Sequence, residues 1–277
     1  MNRSALKEIL SAELTTDIGM GDLTTDSIFK DEYGKGLFIA KQEGVLAGLD
    51  AVTTAYSLLH ISADVDVFKH DGESVHAGES VATVSGSISG LLKAERTILN
   101  TLQHLSGIAT TTRAMVDALD DASILITDTR KTLPGLRALQ KYAVRCGGGK
   151  NHRFRLDDAV MIKDNHIKGA GGITHAVQSV RNHIGHTVKI EVETETREQV
   201  LEAVNNNVDI IMLDNRSAQE VQQYRAMIPG HILIEVSGGI TPENIQTYKG
   251  CGADVLSMGW LTHSVTALDI SFNLIQE

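Results

Sequence analysis

From residue 122 onward the chain repeats one pattern six times: a short, almost unbroken run of apolar and β-branched residues, then a helical segment. The runs are SILIT (123–127), AVMIK (159–163), VKIEV (188–192), DIIML (209–213), ILIEV (232–236) and DVLSM (254–258). A strand wetted on one side alternates apolar and polar residues. A continuous apolar run suits a parallel strand covered on both faces. Segments such as REQVLEAVNNN and SAQEVQQYRAMI lie between the runs and carry helical spacing. Six such units in series predict an α/β barrel that is incomplete, with about six to seven parallel strands instead of eight. A doubly wound open sheet is the alternative. No GxGxxG follows the first run, as dinucleotide binding in such a sheet would require.

The preceding residues read differently. Leu6, Ile9 and Leu10 share one face of a helix over 4–14. GLFIAKQEGVLAG (36–48) reads as strand, turn, strand, and a helix follows over about 50–60. DVDVFKHDGESVHAGESVATVSG alternates between glycine turns, as β structure does. A long helical stretch, LLKAERTILNTLQHLSGIATTTRAMVDAL, closes this half, and Gly107 is expected to break it in two.

Barrel active sites gather at the C-terminal ends of the strands. After the runs come Asp128-Thr129-Arg130-Lys131, then Lys163-Asp164-Asn165-His166, then Glu191 and Glu193, then Asp214-Asn215, then Ser237-Gly238-Gly239, and last Ser257-Met258-Gly259. Net charge is −10, which argues against binding nucleic acid by whole-surface attraction. Yet nine of the 25 Lys and Arg fall within residues 127–167. Arg137, Lys141 and Arg145 recur at helical spacing and are expected to form a solvated face or a partner contact. Arg130, Lys131, His152, Arg153 and Lys163 remain as pocket candidates for a small ligand with several carboxylates or phosphates. The glycine turns at 237–239 and 257–259 offer backbone N–H groups to a phosphate. Glu193 and Asp214 suit Mg²⁺ or sugar hydroxyls. No HExxH or Cys-His spacing points to zinc. Cys146 and Cys251 form no framework, no targeting segment opens the chain, and no run approaches 18 apolar residues, so the expected setting is reduced and cytoplasmic.

Several longer motifs occur in order: DIGMGDLTT (17–25), AERTILNTLQHLSGIAT (94–110), DTRKTLPGLRALQKYAVRCGGGKNHR (128–153), IKDNHI (162–167), then EVE, LDN, SGGI and LTHS (261–264). Together they resemble the quinolinate phosphoribosyltransferases, the carboxylating nicotinate-nucleotide pyrophosphorylases. A related molybdenum-transport-associated family shares RKTxPG and GGG-HR; Lys163-Asp164-Asn165-His166 favours the quinolinate enzymes. The resemblance implies an N-terminal α/β sandwich over 1–107, a barrel over 108–263, and a C-terminal segment 264–277 that returns to the sandwich. It implies transfer of the phosphoribosyl group of phosphoribosyl pyrophosphate to quinolinate, with release of pyrophosphate and CO₂, in de novo NAD biosynthesis with Mg²⁺. It further implies a homodimer, open to higher assembly, with Arg96 completing the partner's pocket. Arg130, His152, Arg153 and Lys163 would hold the two carboxylates, with Thr129 and Lys131 beside them. Lys163, Glu193 and Asp214 would be catalytic, the last two facing ribose and metal, and Ser237–Gly239 with Ser257–Gly259 would hold the 5-phosphate. Two positions depart from the pattern: Arg155 stands where many relatives have glycine, and Gly239 where asparagine is frequent. Two other readings compete: a Schiff-base aldolase with Lys163 as nucleophile, and a non-catalytic sensor of an anionic metabolite.

Overall fold

The computed structural model describes residues 1–275; the last two residues of the expected 264–277 segment lie outside it. In chain order, helices α1 (Arg3–Ile18) and α2 (Leu23–Ile28) precede strands β1 (Tyr33–Ala40) and β2 (Gly44–Val45). Helix α3 (Asp50–Leu58), strands β3 (Ala63–Val67), β4 (Ser74–Val75) and β5 (Ser80–Ser87) and helix α4 (Ile88–Leu119) follow. Then come β6 (Leu125–Thr127), α5 (Arg137–Cys146), β7 (Val160–Ile162), α6 (Asp164–Ala170), α7 (Ile173–Arg181), β8 (Ile190–Thr194) and α8 (Arg197–Asn205). The chain ends with β9 (Ile210–Asp214), α9 (Ala218–Arg225), β10 (Leu233–Ser237), a 3₁₀ turn at Ile245–Tyr248, β11 (Val255–Ser257), α10 (Trp260–His263) and β12 (Ile270–Ile275). None of the described helices is long and apolar enough to cross a membrane.

Two compact units emerge. The first comprises Met1–Arg113, Thr132–Gly148 and the stretch from Leu261; the second comprises Ala114–Lys131 and Gly149–Trp260. In the first unit an antiparallel sheet runs β12-β1-β5-β3. Its last-made strand sits on an edge, with Phe38 opposite Phe272. A Cβ at Gly36 would lie 2.1 Å from the Phe272 ring, so that ring lies directly across β1. The Asn2 side chain caps α1 by accepting from Ala5 N–H, and Leu6, Leu10 and Leu14 form its buried stripe. Leu14 stands at the expected end, but the helix runs one more turn and stops only at Gly19, φ 54°.

Helix α4 corrects one expectation. It runs unbroken through Gly107. A Cβ there would sit 2.1 Å from the Thr266 carbonyl oxygen. The glycine serves close approach of the C-terminal stretch and does not end the helix. A second correction concerns α5. Lys141 is fully buried, so the Arg137-Lys141-Arg145 row is not a solvated face.

The second unit is a six-stranded parallel sheet ordered β6-β11-β10-β9-β8-β7. From β7 to β11 each strand pairs with the next in the chain, and the first strand, β6, closes against the last. That is barrel order; a doubly wound sheet reverses direction at an internal strand. β6 and β7 do not pair, so the barrel is open at a seam between them. Lys150 lies against β6 as a single-residue bridge to Thr127. Its N–H donates to Ile126 O at 2.8 Å and its carbonyl accepts from Asp128 N–H at 3.3 Å.

Candidate active site

Register decides what faces the barrel interior. Glu193 pairs with Met212, Met212 with Glu235, and Met161 with Glu191. One step nearer the C-terminal ends, Asp214, Ser237, Ser257 and Thr127 form a single row. Paired residues share a sheet face, as do residues two apart on a strand. All of these side chains therefore point inward. Ile162, Val192, Leu213, Val236, Leu256 and Ile126 take the opposite face, and all six are buried.

A cavity of about 590 Å³ opens over this inner face. Arg130, Lys131 and Thr129 reach it from beyond β6, His152 and Arg153 from the segment after Lys150, and Lys163 from the end of β7. The cations therefore flank the seam. Strands β8 to β11 contribute Glu193, Asp214, Ser237, Gly238, Gly239 and Ser257. The site is thus cationic where the barrel is open, and acidic and glycine-rich where it is closed.

Local bonds fix these groups. Lys163 Nζ donates to Glu193 Oε2 at 2.5 Å. The Arg153 guanidinium donates to Ala159 O at 2.8 Å. Burial, then the nearby positive charge of Arg130, lowers the Arg153 pKa, so two guanidinium groups crowd one wall and an anion between them would relieve their repulsion. Asp128, wholly buried, accepts from Asn151 Nδ2 at 2.5 Å and from His152 N–H at 3.0 Å. It pins the loop that carries His152 and Arg153.

The glycine turn is equally determined. Gly238 has φ +84° and Gly239 φ +66°, in the left-handed region. A Cβ on Gly238 would lie 2.3 Å from Asn215 Oδ1. Asn215 is itself left-handed, φ 52°, donates its N–H to Ser237 O at 2.8 Å, and donates Nδ2 to Asp214 Oδ2 at 2.7 Å. At Gly239 a Cβ would meet nothing closer than 3.9 Å. Asparagine, a side chain that tolerates this conformation, would fit there.

Of the expected site residues, twelve line the cavity. Arg96 belongs to the other unit, on α4. Met258 and Gly259 are not among the lining residues, and the Met258 N–H is engaged with Thr127 O at 2.9 Å. His152 lines the cavity, but Nε2 lies 3.1 Å from Glu191 and 3.4 Å from Glu235, and Nδ1 accepts from Arg153 N–H at 2.7 Å. Sequence reasoning assigned no role to Asp128, Asn215, Glu191 or Glu235. For the two glutamates a signal existed: a carboxylate inside a run covered on both faces can only point into the barrel. Burial, and then the Glu191 charge, push the Glu235 carboxyl up to about 7.

Comparison with known proteins places the whole chain among relatives. The family models for the N-terminal and C-terminal domains of quinolinate phosphoribosyl transferase match residues 22–106 and 108–273. The chain is 47% identical over 274 residues to the "probable nicotinate-nucleotide pyrophosphorylase (carboxylating)" of Bacillus subtilis strain 168, covering 99% of this chain and 95% of the relative. It is 40% identical to the nicotinate-nucleotide pyrophosphorylase (carboxylating) of Mycobacterium leprae, covering 98% and 97%. The crystal structure of NadC from Streptococcus pyogenes superposes with a TM-score of 0.95 at 40% identity, covering 100% and 99%.

Proposed function

The chain belongs to the quinolinate phosphoribosyltransferase family, and on that premise we propose how its strand-end cavity divides the work of that reaction. The protein transfers the phosphoribosyl group of phosphoribosyl pyrophosphate to quinolinate with decarboxylation, forming nicotinate mononucleotide, pyrophosphate and CO₂ in NAD biosynthesis. The observation that carries the assignment of roles is the polarity of the cavity, cationic at the seam and carboxylate-and-glycine-lined from β8 to β11.

Quinolinate, a dianion, binds at the seam. Arg130, Arg153 and Lys163 offset the loss of its hydration and aim the ring nitrogen at ribose C1. Thr129 and Lys131 flank them. The 5-phosphate takes the Ser237–Gly239 turn, where two left-handed glycines leave the backbone N–H groups bare of side chains. As pyrophosphate departs, positive charge grows at C1, and Glu193 and Asp214 face it. The new ring nitrogen is cationic and draws the electrons of the breaking C–CO₂ bond, so decarboxylation needs no organic cofactor. Glu193 and Asp214 also offer oxygen ligands in one cavity, a donor set that suits Mg²⁺ shared with phosphates. When bound, that ion would neutralise charge on the leaving pyrophosphate. A cytoplasmic setting accords with two free cysteines.

The test is direct. Purified protein with Mg²⁺, phosphoribosyl pyrophosphate and quinolinate should yield nicotinate mononucleotide and CO₂ in equal amounts. Folded protein that makes neither, beside an active control enzyme, would refute the reading. Gly238→Ala should raise KM for phosphoribosyl pyrophosphate at least about tenfold, because a left-handed alanine costs about 1–2 kcal/mol before its clash with Asn215 is counted. An unchanged KM would remove the turn from the phosphate site.

Arg96 acts in trans in this proposal: a homodimer completes each pocket with the partner's Arg96. Mixing Arg96→Ala with Lys163→Ala protein should then restore activity through hybrid sites. No recovery despite demonstrated subunit exchange would place Arg96 elsewhere.

A further inference from the structure

Beneath the cationic rim lies a second polar group that the roles above leave unused. Glu191 and Glu235 are 2% and 3% exposed. They converge with His152, one ligand atom from each residue lying within 4.8 Å of the others. Glu191 Oε1 is buried without a hydrogen-bond partner, and Glu235 Oε1 is buried with the ring of His152 as its neighbour at 3.4 Å. The imidazole Nε2 hydrogen-bonds Glu191 Oε2 at 3.1 Å, and Glu235 Oε1 stands 3.4 Å from the same nitrogen. Both carboxylates thus converge on one ring nitrogen beneath the cations.

The ring's other nitrogen settles its tautomer. Nδ1 accepts the Arg153 backbone N–H at 2.7 Å, so it carries no proton, and Nε2 bears the hydrogen directed at the glutamates. A metal ion in the same place would need the bare Nε2 as ligand with the proton on Nδ1, and the Arg153 N–H opposes that arrangement.

We propose that Glu191 and Glu235 are positioning residues for the dicarboxylate subsite: they hold His152 by its Nε2–H, and His152 in turn fixes the Arg153 backbone. Glu191 also acts on Arg153 through space, its charge supporting the guanidinium that burial and Arg130 disfavour. The pair is the buried counter-charge that keeps the cationic seam assembled before a dianion arrives. This inference rests on the quinolinate reading and deepens it.

Two measurements test it. The Glu191→Gln, Glu235→Gln double variant keeps shape and removes charge. It should raise KM for quinolinate about tenfold or more, the size of one lost charge-assisted contact, while KM for phosphoribosyl pyrophosphate moves less than about threefold. Equal changes in both constants, or none, would overturn the proposal. Nitrogen NMR of ¹⁵N-histidine-labelled wild-type protein needs no variant to fold. It should show His152 with Nδ1 unprotonated and Nε2 protonated, a pattern lost in His152→Gln. A protonated Nδ1, or zinc recovered stoichiometrically with the purified protein, would overturn it. If the quinolinate reading itself failed, wild-type protein would make no product, yet the tautomer would stand. If only this inference failed, wild-type turnover would remain and the two KM values would not separate.

Discussion

Removing both guanidinium groups, Arg130→Ala with Arg153→Ala, should cut kcat/KM for quinolinate by about 10²- to 10⁴-fold. Each charge-assisted contact to a carboxylate contributes about 1.5–3 kcal/mol, and about 1.4 kcal/mol is a factor of ten in rate. The fold should survive. Arg130 is exposed, and Arg153 gives up one hydrogen bond, to Ala159 O. The thermal midpoint should therefore move by only about 2–4 °C, the shift that about 1 kcal/mol causes in a unit of this size. Arg153→Lys separates charge from shape. It keeps the cation and loses the planar fork, so its activity should fall between wild type and Arg153→Ala. Near-normal turnover by the double alanine variant would show that the dianion sits elsewhere.

Asp128→Ala should have the largest effect on stability, lowering it by about 2–5 kcal/mol in urea unfolding. The carboxylate is fully buried and accepts from two donors on the following loop. Truncation strands both, at about 1–3 kcal/mol each. Activity should fall too at temperatures where the variant is still folded, because the loop that presents Arg153 loses its anchor. Asp128→Asn keeps one oxygen acceptor and should recover part of the loss. A change under about 1 kcal/mol in the alanine variant would show that the loop is held by other means.

The barrel was legible because burial on both faces writes itself into sequence. Runs such as DIIML and ILIEV leave no wet side, and observed strands β9 and β10 lie within one residue of them. The strand ends were legible for the same reason: once the strands are placed, the residue that follows each is at the mouth. What escaped depends on distant partners. Gly107 looks like a helix breaker locally, and its reason is the Thr266 oxygen far along the chain. Lys141 has the spacing of a surface stripe, and its burial is set by packing that no local pattern encodes. That His152 stands against two glutamates was not legible either, because they come from β8 and β10. The resemblance supplied a role for Arg96 that the residues alone did not suggest.

The pairing of β12 with β1 fixes an order of events during synthesis. Phe38 waits for Phe272, so the N-terminal sheet lacks an edge strand until residues 270–275 have left the ribosome. The residues of the parallel sheet are all made before then. Domains generally fold as units while the chain emerges, and pairings this distant in sequence form slowly. The inserted unit is thus free to mature first, and the unit begun first is finished last. Until β12 is made, the nascent chain exposes the edge of β1, the place where a chaperone or a neighbouring nascent chain would bind.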